Sequence, residues 1–318
     1  MPDDGGSRYA ARRARRFVLS RRLVRRALIT GLEGFTGQYL SRELKAAGWA
    51  VFGIGRAERP DDLCYRQVDL SDTEGLTDWV NEVQPDVVAH LAGIAFVGHG
   101  DPEAFYRVNL IGTRNLLAAL AACNKRPDCV LLASSANVYG NAASGMLAES
   151  ALPNPANDYA VSKLAMEFMA KLWQGKLPIL IARPFNYTGI GQSDAFLLPK
   201  IVSHFRRRAE VIELGNLDVW RDFSDVRWVA AAYRRLLEAA PAGEIVNVCS
   251  GRTHSLREVL AMAEAITGHS IRVEVNPAFV RANEVKTLCG DSSRLRSLVD
   301  PPDMPPLEET LRWMLQHK

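Results

Sequence analysis

Two rhythms alternate along the chain. Short unbroken apolar runs, each ending at glycine or a polar turn, are followed by longer stretches in which apolar residues recur every three or four positions. The run at 26–30, RALIT, predicts a buried first strand. An amphipathic helix follows to about residue 47, stopped by Gly48. Residues 49–54 predict a second strand and 65–70 a third. Ser71 and Glu74 then suit a capping box for a helix ending near Val83. Pro85 leads into a fourth apolar strand at 86–93. Asp101-Pro102 opens a long helix with Phe105, Val108, Leu110, Ile111, Leu116, Leu117 and Leu120 as its apolar positions, ending near Cys123. A fifth strand is predicted at 129–135, a two-proline loop at 149–155, a helix from there to about Trp173, and a strand at 179–186. Repeated strand–helix alternation of this kind predicts an α/β fold with a doubly wound parallel sheet. Further on, 256–266 reads as a helix, 271–275 as a strand, and 307–316 as a closing helix after four prolines.

Composition narrows the class. The 318 residues are 47% hydrophobic and 24% charged, ordinary for a globular chain of one or two domains. No apolar run is long enough to span a bilayer, and no secretory signal is recognisable. The five cysteines form no C-x-x-C and cluster with no histidine, so neither a metal site nor a disulfide framework is expected. All five are expected to be small buried side chains in a cytoplasmic protein. The net charge of +3 is uneven, because residues 1–26 hold nine arginines against two aspartates. The rest of the chain is therefore slightly acidic, which argues against nucleic acid as its main partner. Residues 1–25 are expected to be a poorly ordered basic extension.

Candidate chemistry begins at the first strand–helix junction, where Gly31, Gly34 and Gly37 are spaced G-x-x-G-x-x-G. Glycines let a backbone approach a diphosphate, and a helix N-terminus offers free N–H groups to hold it. The second strand runs into Gly55-Arg56, and an arginine there suits a ribose 2′-phosphate, favouring NADP(H) over NAD(H). Asp69, ending the third strand, is placed to face the adenine. His90, among apolar neighbours, reads as a core histidine. Ser134 and Ser135 sit where a parallel strand ends, the edge at which open α/β sheets bind ligands. Tyr159 and Lys163 lie four residues apart, hence on one helix face. A phenol beside a fixed ammonium becomes a usable acid or base near neutral pH. In a chain with eight tyrosines such a pair alone means little.

The strings GLEGFTG, VDL, HLAG, SSANVYG, YAVSK, ARPFN and RDFSDV fall in one order, and together they resemble the extended short-chain dehydrogenase/reductase family of nucleotide-sugar epimerases, dehydratases and reductases. The resemblance runs from about residue 26 to the C-terminus. It implies a Rossmann-type seven-strand parallel sheet at 26–180 and a smaller α/β lobe binding a nucleotide sugar, mainly 181–318, with about 225–250 returning to the first domain. It implies catalysis by Ser135, Tyr159 and Lys163. Cofactor contacts would come from Gly31, Gly34, Phe35, Thr36, Gly37, Arg56, Asp69, Leu70, Leu91, Ala92, Gly93, Tyr159 and Lys163. Substrate contacts would come from Ser135, Asn186, Lys200, Arg221, Arg281 and Glu284. It also implies a homodimer through helices near 101–122 and 156–174.

A 4,6-dehydratase of this family needs a carboxylate just after the active-site hydroxyl, where this chain has Ala136 and Asn137. The strings IARPFN, LGNLDVWRDFSDV and VNVCSG instead resemble reductases acting on the C4 ketone of a GDP-4-keto-6-deoxyhexose. The alternatives are an NAD-dependent 4-epimerase of UDP-hexoses and, further off, a dehydratase or a non-catalytic nucleotide-binding regulator. Product stereochemistry at C4 is not legible in the residues.

Overall fold

The computed structural model describes residues 24–59, 61–98, 100–140, 145–279 and 286–317. The predicted alternation folds as β1 (Arg26–Thr30), α1 (Phe35–Ala46), β2 (Ala50–Gly55), β3 (Tyr65–Gln67), α2 (Thr73–Val83) and β4 (Val87–His90). A helical stretch follows in three parts: α3 (Pro102–Phe105), a π-helical segment Tyr106–Gly112, and α4 (Thr113–Ala122). Next come β5 (Cys129–Ala133), a 3₁₀ turn Ala136–Tyr139, β6 (Met146–Leu147), α5 (Asp158–Lys171) and β7 (Ile179–Pro184). The remainder is β8 (Asn186–Thr188), α6 (Leu197–Arg206), β9 (Val211–Leu214), β10 (Trp220–Asp225), α7 (Val226–Ala239), β11 (Ile245–Val248), β12 (Thr253–Ser255), α8 (Leu256–Thr267), β13 (Arg272–Val275), β14 (Thr287–Gly290), α9 (Ser293–Leu298) and α10 (Leu307–Gln316).

The first sheet has seven strands in the order β11-β7-β5-β4-β1-β2-β3, and every pairing in it is parallel. Its strands are apolar on both faces because both are covered by helices. Along β1, Ala27 and Ile29 face a layer made by Leu40 and Leu44 of α1 and Trp228, Tyr233 and Leu236 of α7. Leu28 faces the other way, onto Leu76 and Val80 of α2, Leu116 and Leu120 of α4 and Met166 of α5. Each such fully buried side chain stabilises the fold by about 1.5–3 kcal/mol relative to exposure.

A second sheet, β12-β10-β14-β6 with β8 also paired to β10, and the pair β9–β13 belong to the smaller lobe. Its own core packs α6, α8 and α10 through Ile201, Phe205, Val259, Leu311 and Met314. Strand β11, at the far edge of the large sheet, comes from late in the chain. No helix among the described residues is long and apolar enough to cross a membrane.

Some local expectations are corrected. The third strand stops at Gln67, short of residue 70. Helix α2 is capped by Asp72, which accepts from Gly75 N at 2.9 Å, rather than by a Ser71–Glu74 box. Ser71 is already engaged, its N–H and hydroxyl both donating to Asp69 Oδ1. Cys64 is exposed in the loop before β3, and only Cys129 and Cys249 are fully buried. The long helix after Pro102 is not uniform, since Tyr106–Gly112 adopts π geometry. His90 is the satisfied core residue expected, with Nδ1 2.7 Å from Thr30 Oγ1 and Nε2 2.8 Å from Thr113 Oγ1. Burial pushes its pKa down to about 3, helped by the Lys163 charge.

Candidate active site

The strand order reverses between β1 and β4, which opens a crevice outside their carboxyl ends. The glycine loop lines one side. Gly31 has φ +70°, and a Cβ there would stand 2.9 Å from Ala92 N, so the turn after β1 and the segment after β4 meet backbone to backbone. A Cβ on Gly37 would stand 2.2 Å from Gly31 O, so α1 can begin this close to the turn only with glycine. Gly34 is the N-cap of α1 and brings no side-chain cap, which leaves the first N–H groups of Phe35, Thr36 and Gly37 for a ligand. Such a cradle fits the diphosphate of a dinucleotide. Thr36 Oγ1 lies 2.8 Å from Tyr187 Oη, and Phe35 stacks on the Tyr187 ring, which ties the loop to the smaller lobe.

Gly93, exposed at the other side, would bring a Cβ within 2.9 Å of Asn109 Oδ1 and 3.3 Å of Lys163 Nζ. Asn109, buried in the π segment, accepts from Ile94 N and donates to Ile94 O and Ser162 Oγ. It therefore clamps the loop after β4 onto α5. The π turn places the amide here, as π-bulges commonly do at functional sites. Periodicity alone pointed to neither Asn109 nor the bulge.

Three expected catalytic residues converge. Ser135 lies two residues past β5 and N-caps the 3₁₀ turn, its Oγ accepting from Asn137 N and Asn137 Nδ2, both at 3.1 Å. Its hydroxyl lies within hydrogen-bonding reach of the Tyr159 phenol, which it favours in the ionised form. Tyr159 enters on the first turn of α5, whose N-cap Asn157 accepts from Ala160 N. Burial pushes the phenol up to about 12, against the Ser135 hydrogen bond. Lys163 sits one turn on and donates to Ala133 O at 2.8 Å. Burial brings its ammonium down to about 8, while Glu167 opposes the fall. Desolvation dominates the Tyr159 phenol, which therefore holds its proton across the physiological range. That is the state required of a proton donor.

Behind these groups lies a buried ionic network. Glu167 accepts from Arg183 Nε at 2.9 Å, Arg183 Nη2 at 2.6 Å and Ser134 Oγ at 2.5 Å. Arg183 also donates to Tyr139 Oη at 3.0 Å, and Tyr139 donates to Asn247 Oδ1. The ion pair thus braces the segment just past β5 that carries Ser135. Nothing in local sequence marked it beyond the RPFN string.

The other expected residues vary in placement. Asp69 is satisfied by Ser71, whose bonds lower its pKa, and Leu70 is buried against Gly112. Arg56 is exposed just past β2, and its carbonyl accepts from Gln67. Leu91 and Ala92 are half-buried beside the glycine turn. Asn186 and Arg221 stand on the paired strands β8 and β10, Asn186 donating to Asp222 O and Arg221 to Trp220 O. Lys200 donates to Glu213 O at 2.7 Å and lies over the Phe279 ring. Arg281 and Glu284 lie outside the described residues, as does nearly all of the basic N-terminal stretch.

The chain is similar to known proteins along most of its length. GDP-6-deoxy-D-talose 4-dehydrogenase from Aggregatibacter actinomycetemcomitans is 34% identical, over 86% of this chain and 90% of the relative. GDP-6-deoxy-D-mannose reductase from Pseudomonas aeruginosa is 37% identical, with the same coverage. The solved structure of RMD from Pseudomonas aeruginosa complexed with NADPH superposes with a TM-score of 0.81 at 34% identity, covering 92% of this chain and 98% of that one. Residues 27–249 match the NAD dependent epimerase/dehydratase family. With that match spanning most of the chain, and the glycine cradle, the parallel sheet and Ser135, Tyr159 and Lys163 all lying within it, the chain belongs to the NAD dependent epimerase/dehydratase family.

Proposed function

We propose that this chain reduces the C4 ketone of a GDP-4-keto-6-deoxyhexose with NADPH, taking GDP-4-keto-6-deoxy-D-mannose to GDP-D-rhamnose or its C4 epimer. The observation that carries the reading is Asn137. An amide stands where dehydration would need a carboxylate, and it is spent on orienting Ser135. The two GDP-sugar relatives support the nucleotide and the carbon oxidised or reduced. Arg56 and the NADPH held by the Pseudomonas RMD structure support the phosphorylated cofactor.

When bound, the dinucleotide supplies the hydride that reaches the ketone carbon. The chain's own groups do the rest. Ser135 hydrogen-bonds the ketone oxygen, and Tyr159 gives that oxygen its proton. The resulting phenolate is stabilised by the nearby Lys163 ammonium. Asn186 and Arg221, with Arg281 and Glu284 from the family pattern, take the nucleotide end of the substrate. Lys200 joins them by leaving the Glu213 carbonyl.

The decisive assay incubates purified protein with GDP-4-keto-6-deoxymannose and NADPH. Loss of the reduced-nicotinamide absorbance with formation of a GDP-6-deoxyhexose is expected. An unchanged absorbance, with interconversion of UDP-hexoses instead, would establish the 4-epimerase in its place.

The protein is also proposed to work as a homodimer. Val161, Phe168 and Leu172 stand 39%, 58% and 83% exposed on α5 and its C-terminal cap, with Ile111 48% exposed on the neighbouring π segment. Positions 161, 168 and 172 form one apolar stripe at helical spacing. Light scattering at micromolar concentration is expected to give a dimer, and Phe168→Asp a monomer. A wild-type monomer, or a dimer undisturbed by the substitution, would rule this face out.

A further inference from the structure

Glu33, the third residue of the glycine loop, does something that its place in the G-x-x-G string does not suggest. Its carboxylate lies across the end of β2. Oε1 accepts the Arg56 backbone N–H at 2.8 Å, 23 residues away in sequence. A Cβ on Gly55 would stand 1.9 Å from Oε2 and 2.1 Å from Oε1, so the carboxylate rests directly on that glycine. Oε2 and the hydroxyl of Tyr65 are both buried, and the phenol is the donor within reach of the carboxylate. The two groups are close enough that, after burial, the Glu33 charge is the next cause raising the Tyr65 phenol. A carboxylate that takes one backbone N–H and one phenol keeps lone pairs to spare, and in a cleft these mark where a ligand's donors belong.

The place is specific. It is the crevice at the carboxyl end of β2 beside the glycine turn, where the adenosine ribose of a dinucleotide comes to rest. Dinucleotide sites that take an unphosphorylated ribose put a carboxylate there, ordinarily from the strand itself. In this chain the strand ends in Gly55-Arg56, and the carboxylate arrives from the loop. The residue as a whole is only half-buried, so a small turn of the carboxylate brings its spare lone pairs to the ribose. A carboxylate accepts from ribose hydroxyls and repels a phosphate dianion, whereas the Arg56 guanidinium does the reverse.

Building on the reading that this crevice holds the dinucleotide, we propose that Glu33 is the acceptor for the adenosine ribose hydroxyls. It opposes Arg56 at the same spot, so that the preference for NADPH over NADH is narrow. Two determinants of opposite sign then set one ratio, and removing either should tip it.

The test is equilibrium binding, read without turnover. NADH and NADPH are titrated separately into the purified chain, following quenching of protein fluorescence or heat. The wild-type Kd values should lie within about tenfold of each other. Glu33→Gln keeps the shape and an acceptor for the Arg56 N–H but removes the charge. It should tighten NADPH about tenfold and weaken NADH several-fold, while Arg56→Ala moves the ratio the opposite way. Glu33→Asp, which keeps the charge and shortens the reach, should weaken NADH without improving NADPH.

If Glu33→Gln leaves the ratio unchanged, or weakens both cofactors equally, Glu33 is only a brace for the β2 turn and the proposal is overturned. Binding is read with no sugar present. A chain that shows the ratio shift yet leaves the GDP-ketosugar untouched would therefore refute the reductase reading and keep this inference. A chain that reduces the sugar with an unmoved ratio would do the opposite.

Discussion

Tyr159→Phe is expected to lower kcat by about 10²–10⁴-fold, the range that a positioned general acid contributes. The ring stays packed beside Phe105, 5.8 Å away between centroids, so the lost group is the proton donor and not the wall of the site. Stability should change by no more than about 1 kcal/mol, the net worth of one hydrogen bond. Turnover within about threefold of wild type would remove Tyr159 from the chemistry.

The same experiment can be read against pH. The phenol, at about 12, holds its proton throughout the working range and sets no limb there. Lys163, at about 8, carries its charge below that value and loses it above. The wild-type kcat/KM should therefore fall as pH rises past about 8, and a flat profile to pH 10 would show that the ammonium is not needed.

The second large effect concerns folding. Glu167 and Arg183 are almost completely buried, with side chains 3% and 4% exposed. Such a pair need not contribute much net stability, because its desolvation offsets much of its attraction. Breaking it is another matter, since the remaining charge stays buried without a partner. Glu167→Ala should cost about 3–5 kcal/mol in denaturant unfolding. Glu167→Leu combined with Arg183→Met should recover most of that loss. A single variant within about 1 kcal/mol of wild type would show that water or a neighbouring group already satisfies the arginine.

Glu167 also lies one turn beyond Lys163 and favours its charged form. In Glu167→Gln the ammonium therefore titrates lower, and the alkaline fall in kcat/KM should begin at a more acidic pH. A merely structural role for Glu167 would leave that limb in place.

Much of the candidate site was legible because its signals are local. A short apolar run bounded by glycine reads as a buried strand, and G-x-x-G-x-x-G at its end needs no distant residue to be read. Tyr159 and Lys163 share a face because a helix makes one turn in about 3.6 residues. Contacts between distant positions were not legible in this way. No spacing rule links Glu33 to Arg56 N, Glu167 to Arg183 and Ser134, or Asn109 to Ile94.

The residues by themselves determined the strand–helix alternation of the first half and the glycine turn, since each rests on steric or periodic constraints within a few positions, whereas the Ser135–Tyr159–Lys163 set was legible only through the ordered strings shared with a known family. Only the tertiary structure decided the protonation of that set, because burial raises the phenol and lowers the ammonium. It also decided that Ser71 gives up the cap of α2 to Asp72, that the long helix widens into a π turn around Asn109, and that a loop carboxylate settles on Gly55. Desolvation and hydrogen-bond competition depend on everything packed around a group, and that surrounding is set by the whole fold.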